Sequence, residues 1–188
     1  MLERIRRRVA VAYEILVQPG AASVLKLERF DQSSAPFSLA TLLVGAFVML
    51  AGVSGFSSTG AGIIELVGFS FGLALGMVLW ASVAYLYARL LGGRAPGIFW
   101  SFLYFVSSVF LFLLLLAISL AYVPLFGPIL GLGLIFYGHV LILLIFHHLA
   151  DIGLVLSVLG TVSTTVVTIG LFQLLGRVVV GLLTGTLG

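Results

Sequence analysis

Residues 98–123, "IFWSFLYFVSSVFLFLLLLAISLAYV", form a continuous apolar run without one charged side chain. At a rise of about 1.5 Å per residue, a helix of this length is longer than the ~30 Å hydrocarbon core of a bilayer is thick. The run therefore predicts a membrane-spanning helix. The fold then depends on how many such runs the chain contains.

The composition of the whole chain agrees with this prediction. Of the 188 residues, 62% are hydrophobic and 8% are charged, and the mean hydropathy is +1.32. A soluble domain carries about 25% charged residues, so this chain has too few to cover a water-facing surface. We predict an integral membrane protein. The absence of cysteine excludes disulfides, iron–sulfur clusters and thiolate zinc sites.

Five apolar segments follow Pro36, and short breaks separate them. The predicted spans are residues 37–55, 62–87, 98–123, 128–147 and 152–175. The breaks read "SGFSSTGAG", "RLLGGRAPG", "VPLFGP" and "HHLAD", and we expect Asp151 of the last to cap the fifth helix. The sequence thus predicts an all-α, polytopic five-helix transmembrane bundle over residues 37–188, preceded by a cytoplasmic basic segment, residues 1–36.

That first segment holds six of the nine basic and four of the six acidic residues. Its apolar residues recur at steps of three and four, which predicts an amphipathic helix that Pro19-Gly20 ends: Leu2, Ile5, Val9, Ala12, Tyr13 and Leu16. Glu14 interrupts the apolar pattern, so we expect no cleaved signal peptide. A second short helix is predicted over 21–30.

The sequence leaves open two locations for the amphipathic helix, and both can be true at the same time. The helix packs on the protein's own membrane domain, or it lies on an anionic leaflet. In the second case the residues contacting headgroups are Arg4, Arg6, Arg7 and Arg8.

The distribution of basic residues predicts the orientation. With the N-terminus inside, eight of the nine lie on the inner side and only Arg177 lies outside. Inner loops of membrane proteins are enriched in Lys and Arg. We therefore expect a cytoplasmic N-terminus and an external C-terminus.

Small residues indicate where helices approach each other. Gly68, Gly72 and Gly76 repeat every four residues in "GFSFGLALG" and clear one helix face, which predicts close packing of another helix or self-association. The fifth span carries small and hydroxyl residues that can hydrogen-bond across helices: Gly153, Ser157, Gly160, Thr161, Thr164, Thr165 and Thr168.

The three histidines lie together in "FYGHVLILLIFHHLADIG", residues 136–153. On one helix His139 is about 12 Å from His147 and about 13 Å from His148 along the axis, too far to share a metal ion. We therefore predict no metal and no cofactor. Nothing resembles a nucleophile with its base, a phosphate-binding loop or paired catalytic carboxylates, so no catalytic residue and no enzyme are predicted.

His139 lies near the middle of the fourth span, where ionisable residues are rare. It is either a neutral imidazole bonded to a Ser, Thr or Tyr of a neighbouring helix, or a titrating group on a transport path. Glu65, at the outer start of the second span, is the candidate partner on such a path. His147, His148 and Asp151 are expected in a turn at the inner membrane surface.

The layout resembles the Yip-domain family of small five-span membrane proteins in its prokaryotic form, over about residues 14–175. The resemblance rests on Leu16 to Pro19 in "ILVQPGAASVLKLERF", on "LLGG" at 90–93 within "ARLLGGRAPGIFWSFLYFVSSV", and on the turn "HHLADIG". It implies a five-span helical fold in a prokaryotic cytoplasmic membrane. Eukaryotic members bind Rab GTPases, but their "DLYGP" motif does not precede the first span here, so Rab binding is not expected.

The sequence thus predicts a non-enzymatic membrane scaffold, assembly factor or membrane-organising protein. The expected partners are the bilayer with its anionic headgroups and an unidentified membrane protein or a second copy, not nucleic acid. The alternatives are a small transporter or channel component that uses Glu65 and His139, and an accessory subunit of a larger complex.

Overall fold

The computed structural model describes the backbone of residues 2–29, 35–56, 63–93, 98–121, 123 and 125–184. It describes the side chains of these residues except 2, 4, 29, 49–50, 52–56, 63–69, 121, 172 and 175–184. Four predicted features therefore lie outside the described side chains: Arg4, Glu65, Arg177 and the surroundings of Gly68.

The described residues form helices and no strand. In chain order these are α1 (Leu2–Val17), α2 (Ala21–Val24), a 3₁₀ turn (Leu25–Arg29), α3 (Ala35–Phe56), α4 (Ile63–Leu90), α5 (Ile98–Phe105), a π turn (Val106–Phe110), α6 (Leu111–Ala121), α7 (Gly127–Leu144), a second π turn (Ile145–Leu149) and α8 (Leu154–Thr184).

Four helical segments are long and apolar enough to cross a membrane, counted over the described side chains. They are Ser70–Leu90, Ile98–Leu120, Gly127–Leu149 and Leu154–Leu171. In the same count Ala35–Val48 is a shorter apolar helix. It belongs to α3, which is helical over 22 residues. The all-helical class is confirmed with four candidate spans, and the fifth span stays a prediction.

Two helices end where glycine and proline were expected to end them. α1 stops at Val17, just before Pro19-Gly20, and α4 gives way to Gly92, whose φ of +88° is left-handed. α8 instead continues to Thr184, beyond the predicted end of the fifth span at residue 175. It begins at Leu154, and Asp151 lies three residues earlier with a φ of +55°, so the role of Asp151 as a cap stays a prediction.

The core surrounds α5, in which Ser101 to Phe105 are all buried. The Phe102 ring lies 6.0 Å from that of Trp80 on α4 and 5.2 Å from that of Phe146 in the second π turn. Outside the core, large apolar side chains such as Phe136 and Val155 are more than two-thirds exposed. An apolar outer surface of this kind is compatible with a membrane protein.

Glycines of α7 and α3 approach other helices closely, in contrast to the predicted Gly72. A Cβ built at Gly131 would lie 2.9 Å from the carbonyl oxygen of Ala117 on α6, and one at Gly138 3.0 Å from the Phe110 ring. One built at Gly45 of α3 would overlap the Leu111 side chain. Among the described residues, a Cβ at Gly72 would meet nothing within 4 Å. In that part of the chain no helix packs on Gly72, and self-association through it stays a prediction.

The N-terminal segment packs on the bundle, and hydroxyl groups of the bundle donate hydrogen bonds to its main-chain carbonyl oxygens. The Tyr104 hydroxyl donates to the Arg8 carbonyl at 2.5 Å, and the Tyr137 hydroxyl donates to the Leu16 carbonyl at 2.7 Å. The Ser101 hydroxyl donates to the Leu27 carbonyl at 2.9 Å. Of the two positions left open for this helix, contact with the protein's own bundle is present, and contact with a leaflet stays a prediction.

The face that α1 buries differs from the predicted one. Val11 and Ile15 are buried, whereas Val9 and Tyr13, two residues of the predicted apolar face, are exposed. α1 carries apolar residues on more than one side, so the sequence pattern does not select the side that packs. The contacts with Tyr104 and Tyr137 select it instead.

Candidate functional site

His139 on α7 has a fixed hydrogen bond within its own helix. Its Nδ1 lies 2.8 Å from the carbonyl oxygen of Ile135. Because a carbonyl oxygen only accepts, Nδ1 carries the proton, and in a neutral ring Nε2 is then an acceptor. The hydrogen bond that Nδ1 makes is therefore not the expected one with a Ser, Thr or Tyr of a neighbouring helix. The ring also meets Phe110 edge-to-face, with centroids 6.0 Å apart.

Beside His139 lies a cavity of about 400 Å³ between α4, the first π turn with α6, α7 and α8, which we call the His139 cavity. Its lining combines aromatic, aliphatic and uncharged polar side chains. The lining residues are Leu73, Gly76, Met77, Trp80, Val106, Phe110, Leu114, His139, Thr165, Thr168, Ile169 and Gln173.

Thr168 lines this cavity, but its hydroxyl oxygen is buried away from the open space. Thr161 and Thr165 donate to the carbonyl oxygens of Ser157 and Thr161, one turn back along α8, at 2.9 and 3.0 Å. The hydroxyl oxygens of Thr164 and Thr168 are inaccessible and have no hydrogen-bond partner among the described residues. Leaving a buried hydroxyl unpaired costs about 1–3 kcal/mol, so these two positions lower the stability of the packing around α8.

Aromatic rings form another part of the lining. The rings of Trp80 and Phe110 are nearly parallel, 6° apart in orientation, with centroids separated by 6.5 Å. Phe110 and Val106 belong to the first π turn, and such turns are frequent at functional sites. The cavity is thus lined by flat aromatic rings next to the imidazole of His139.

Gly76 lines this cavity, although the sequence predicted that it packs against a helix. Glu65 precedes Gly76 by eleven residues, about 16 Å along the axis of α4. The structure therefore brings His139 together with Thr165, Thr168 and Gln173, while the pairing with Glu65 stays a prediction.

The turn after α7 holds the other two histidines. The rings of His147 and His148 have centroids 4.6 Å apart, and His147 Nδ1 donates to the carbonyl oxygen of Ile152 at 2.8 Å. Asp151 is exposed. In the part of the chain that the structure describes, no group of three or more His, Asp or Glu side chains is placed to hold a metal ion.

The arginines of α1 have different surroundings. Arg6 and Arg7 are exposed. Arg8 is partly buried, and its guanidinium carbon lies 4.3 Å from the ring centroid of Phe37 and 5.8 Å from that of Tyr104. A cation over an aromatic face is favourable. Headgroup contact therefore stays a prediction for Arg6 and Arg7, whereas Arg8 contacts the protein's own rings.

Sequence reasoning missed the neighbours of His139. Thr168 was assigned to helix packing, and Trp80 and Gln173 were not singled out. The spacing of polar residues on α8 was the available signal, but it does not tell which helix faces them. Four different helical segments contribute to the cavity, so only the tertiary arrangement joins them.

The chain matches no protein-family model, and comparison with curated proteins and with solved structures finds no similar protein. The resemblance to Yip-domain proteins therefore rests on the motifs quoted above, and the fold and cavity have to carry any functional argument by themselves.

Proposed function

We propose that this chain is a non-enzymatic, five-span membrane protein of the Yip-domain type that acts as a scaffold or membrane-organising partner. In this proposal α3 is the remaining span, since its 22 helical residues reach about 33 Å. The N-terminus is cytoplasmic and the C-terminus external.

The observation that carries the scaffold role is the uncovered face of α1. Val9, Tyr13 and Val17 are 62%, 65% and 54% exposed, and their spacing of four residues puts them on one helix face. Arg6 and Arg7 are exposed as well.

This face is held in place, because the carbonyls of Arg8 and Leu16 accept bonds from Tyr104 and Tyr137 of the bundle. We call Val9, Tyr13 and Val17 the α1 stripe. Because the stripe is already held rigidly, little conformational entropy is lost in ordering it when a partner binds. Exposed arginines are suited to the acidic groups of a protein or of the leaflet beside it. We assign the stripe to another membrane protein.

Photo-crosslinking from the stripe tests this role. A photoreactive phenylalanine analogue at Tyr13 is expected to crosslink a discrete membrane protein in native membranes. The same analogue at Leu132, which is 68% exposed on α7, is the control and should crosslink lipid. The Tyr13→Glu variant should lose co-purification of the crosslinked protein. Lipid adducts alone at both positions would argue against a scaffold.

A second candidate function is that of a small transporter or channel component. The observation in its favour is the His139 cavity, because polar groups inside a membrane bundle commonly mark a substrate path. Flux into proteoliposomes that disappears in both His139→Ala and Glu65→Gln would favour transport. Stable co-purification of a partner without flux would favour the scaffold or an accessory subunit.

A further inference from the structure

We propose that the His139 cavity binds a neutral, lipid-soluble molecule that carries an aromatic or quinonoid ring and a hydroxyl group, such as a phenol or a quinol. This assignment concerns the interior of the bundle. It does not depend on the scaffold role, which concerns the surface of α1.

The size and shape of the cavity fit a ring. Its volume of about 400 Å³ lies within the range of about 300–1,000 Å³ that small-molecule sites occupy. Trp80 and Phe110 line it, and their rings are parallel within 6°. Flat aromatic walls favour a planar ligand through offset stacking.

The charges of the lining favour a neutral ligand. None of the twelve described lining residues is Asp, Glu, Lys or Arg. An ion in this cavity would have no counter-charge in a medium of low dielectric constant, which is strongly unfavourable.

The imidazole of His139 favours a hydroxyl on that ligand. His139 Nδ1 is engaged by Ile135, which leaves Nε2 of the neutral ring as an acceptor. A ligand hydroxyl can donate a hydrogen bond to Nε2, whereas a ligand with only carbonyl oxygens offers no proton to it.

The cavity can be entered from the lipid side. Gln173 is exposed and Ile169 is 53% exposed, whereas Thr168, which directly precedes Ile169 in sequence and is also on the lining, is 8% exposed. The lining thus runs from an exposed rim on α8 to the buried side of that helix. A ligand dissolved in the bilayer can reach such a site laterally without crossing water.

Tryptophan fluorescence offers a direct test, because Trp80 lines the cavity and Trp100 is the other of the chain's two tryptophans. The probe is 4-bromophenol, whose bromine quenches nearby indole, and the matched control is 4-bromotoluene, with a methyl group in place of the hydroxyl. Both are titrated into the full chain in nanodiscs and into its Trp100→Phe variant. We expect saturable quenching of Trp80 by 4-bromophenol and at least fivefold weaker binding of 4-bromotoluene.

His139 and a buried threonine provide the two variants. His139→Phe removes the acceptor Nε2 and should weaken 4-bromophenol binding about fivefold to tenfold, the effect of losing one hydrogen bond. Thr164→Val removes a buried hydroxyl that is not part of the lining, and should leave binding unchanged.

Three results would overturn the assignment. They are quenching that rises linearly with probe concentration, equal binding of 4-bromotoluene, and equal effects of His139→Phe and Thr164→Val. The comparison of the two probes uses the unaltered chain, so it decides the question even where a variant does not fold.

Discussion

Replacement of Gly131 by alanine tests a close contact between α7 and α6. The added Cβ would lie 2.9 Å from the carbonyl oxygen of Ala117. Gly133, two residues further along α7, offers the matched control, because a Cβ built there meets no atom within 4 Å. Both changes are Gly→Ala in the same helix, so they differ only in what surrounds the new methyl group.

The size of the effect follows from this geometry. At 2.9 Å the methyl group is about half an ångström closer than ordinary van der Waals contact at 3.4 Å. The obstructing atom belongs to the backbone of α6, so a helix has to shift, and overpacking of this kind costs about 1–3 kcal/mol. At Gly133 only helix propensity changes, which favours alanine by up to about 1 kcal/mol in both variants and therefore cancels in their difference. We expect the free energies of unfolding of the two variants to differ by about 1–3 kcal/mol.

Unfolding of the purified protein in mixed micelles by increasing SDS, followed by tryptophan fluorescence, measures this difference. Gly131→Ala should unfold at a lower SDS fraction than the unaltered chain, and Gly133→Ala at the same or a higher one. Equal unfolding of the two variants would refute the close approach of α6 and α7 on which the packing argument rests.

Two further changes test other contacts. Tyr137→Phe removes the hydroxyl that donates to Leu16 and should lower stability by about 0.5–1.5 kcal/mol with faster hydrogen exchange in α1, whereas Tyr13→Phe, at an exposed position, should change neither. Hydrogen exchange in α1 of the Tyr137→Phe variant that stays as slow as in the unaltered chain would contradict the anchoring of α1 by this hydrogen bond. Gly72→Leu adds a side chain in open space and should leave the monomer's stability unchanged. Light scattering in detergent then measures self-association, and a destabilised monomer would show that a helix of the same chain does pack on Gly72.

The ends of the helices could be predicted because glycine and proline punctuate the chain. The helix predicted from residue 98 begins at Ile98, and α1 stops before Pro19-Gly20. These residues act locally, through their own backbone preferences, so the sequence alone reveals their effect.

Which side of each helix packs against its neighbours could not be predicted, because the bundle helices are apolar on all sides. In lipid, packing does not require a polar outer face, so the periodicity that orients a soluble helix is missing. For this reason Gly72 was expected to pack but has no neighbouring helix among the described residues, and Thr168 was not connected with His139 or Trp80.

One missed contact did have a signal. Gly127 and Gly131 are four residues apart in "GPILG", the same small-residue spacing that drew attention to Gly72 on α4. The two π turns have no comparable signal in the sequence, since no glycine or proline lies in "VSSVF" or "IFHHL".

The number of spans is the central claim, and the relative position of the two chain ends tests it most directly. The chain has no cysteine, so single cysteines can be placed at Arg7 and Thr186 and labelled with a membrane-impermeant maleimide in intact cells. Five spans predict that Thr186→Cys is labelled from outside and that Arg7→Cys reacts only after permeabilisation. Labelling of both positions from the same side would mean that α3 does not cross the membrane, and would contradict the five-span account.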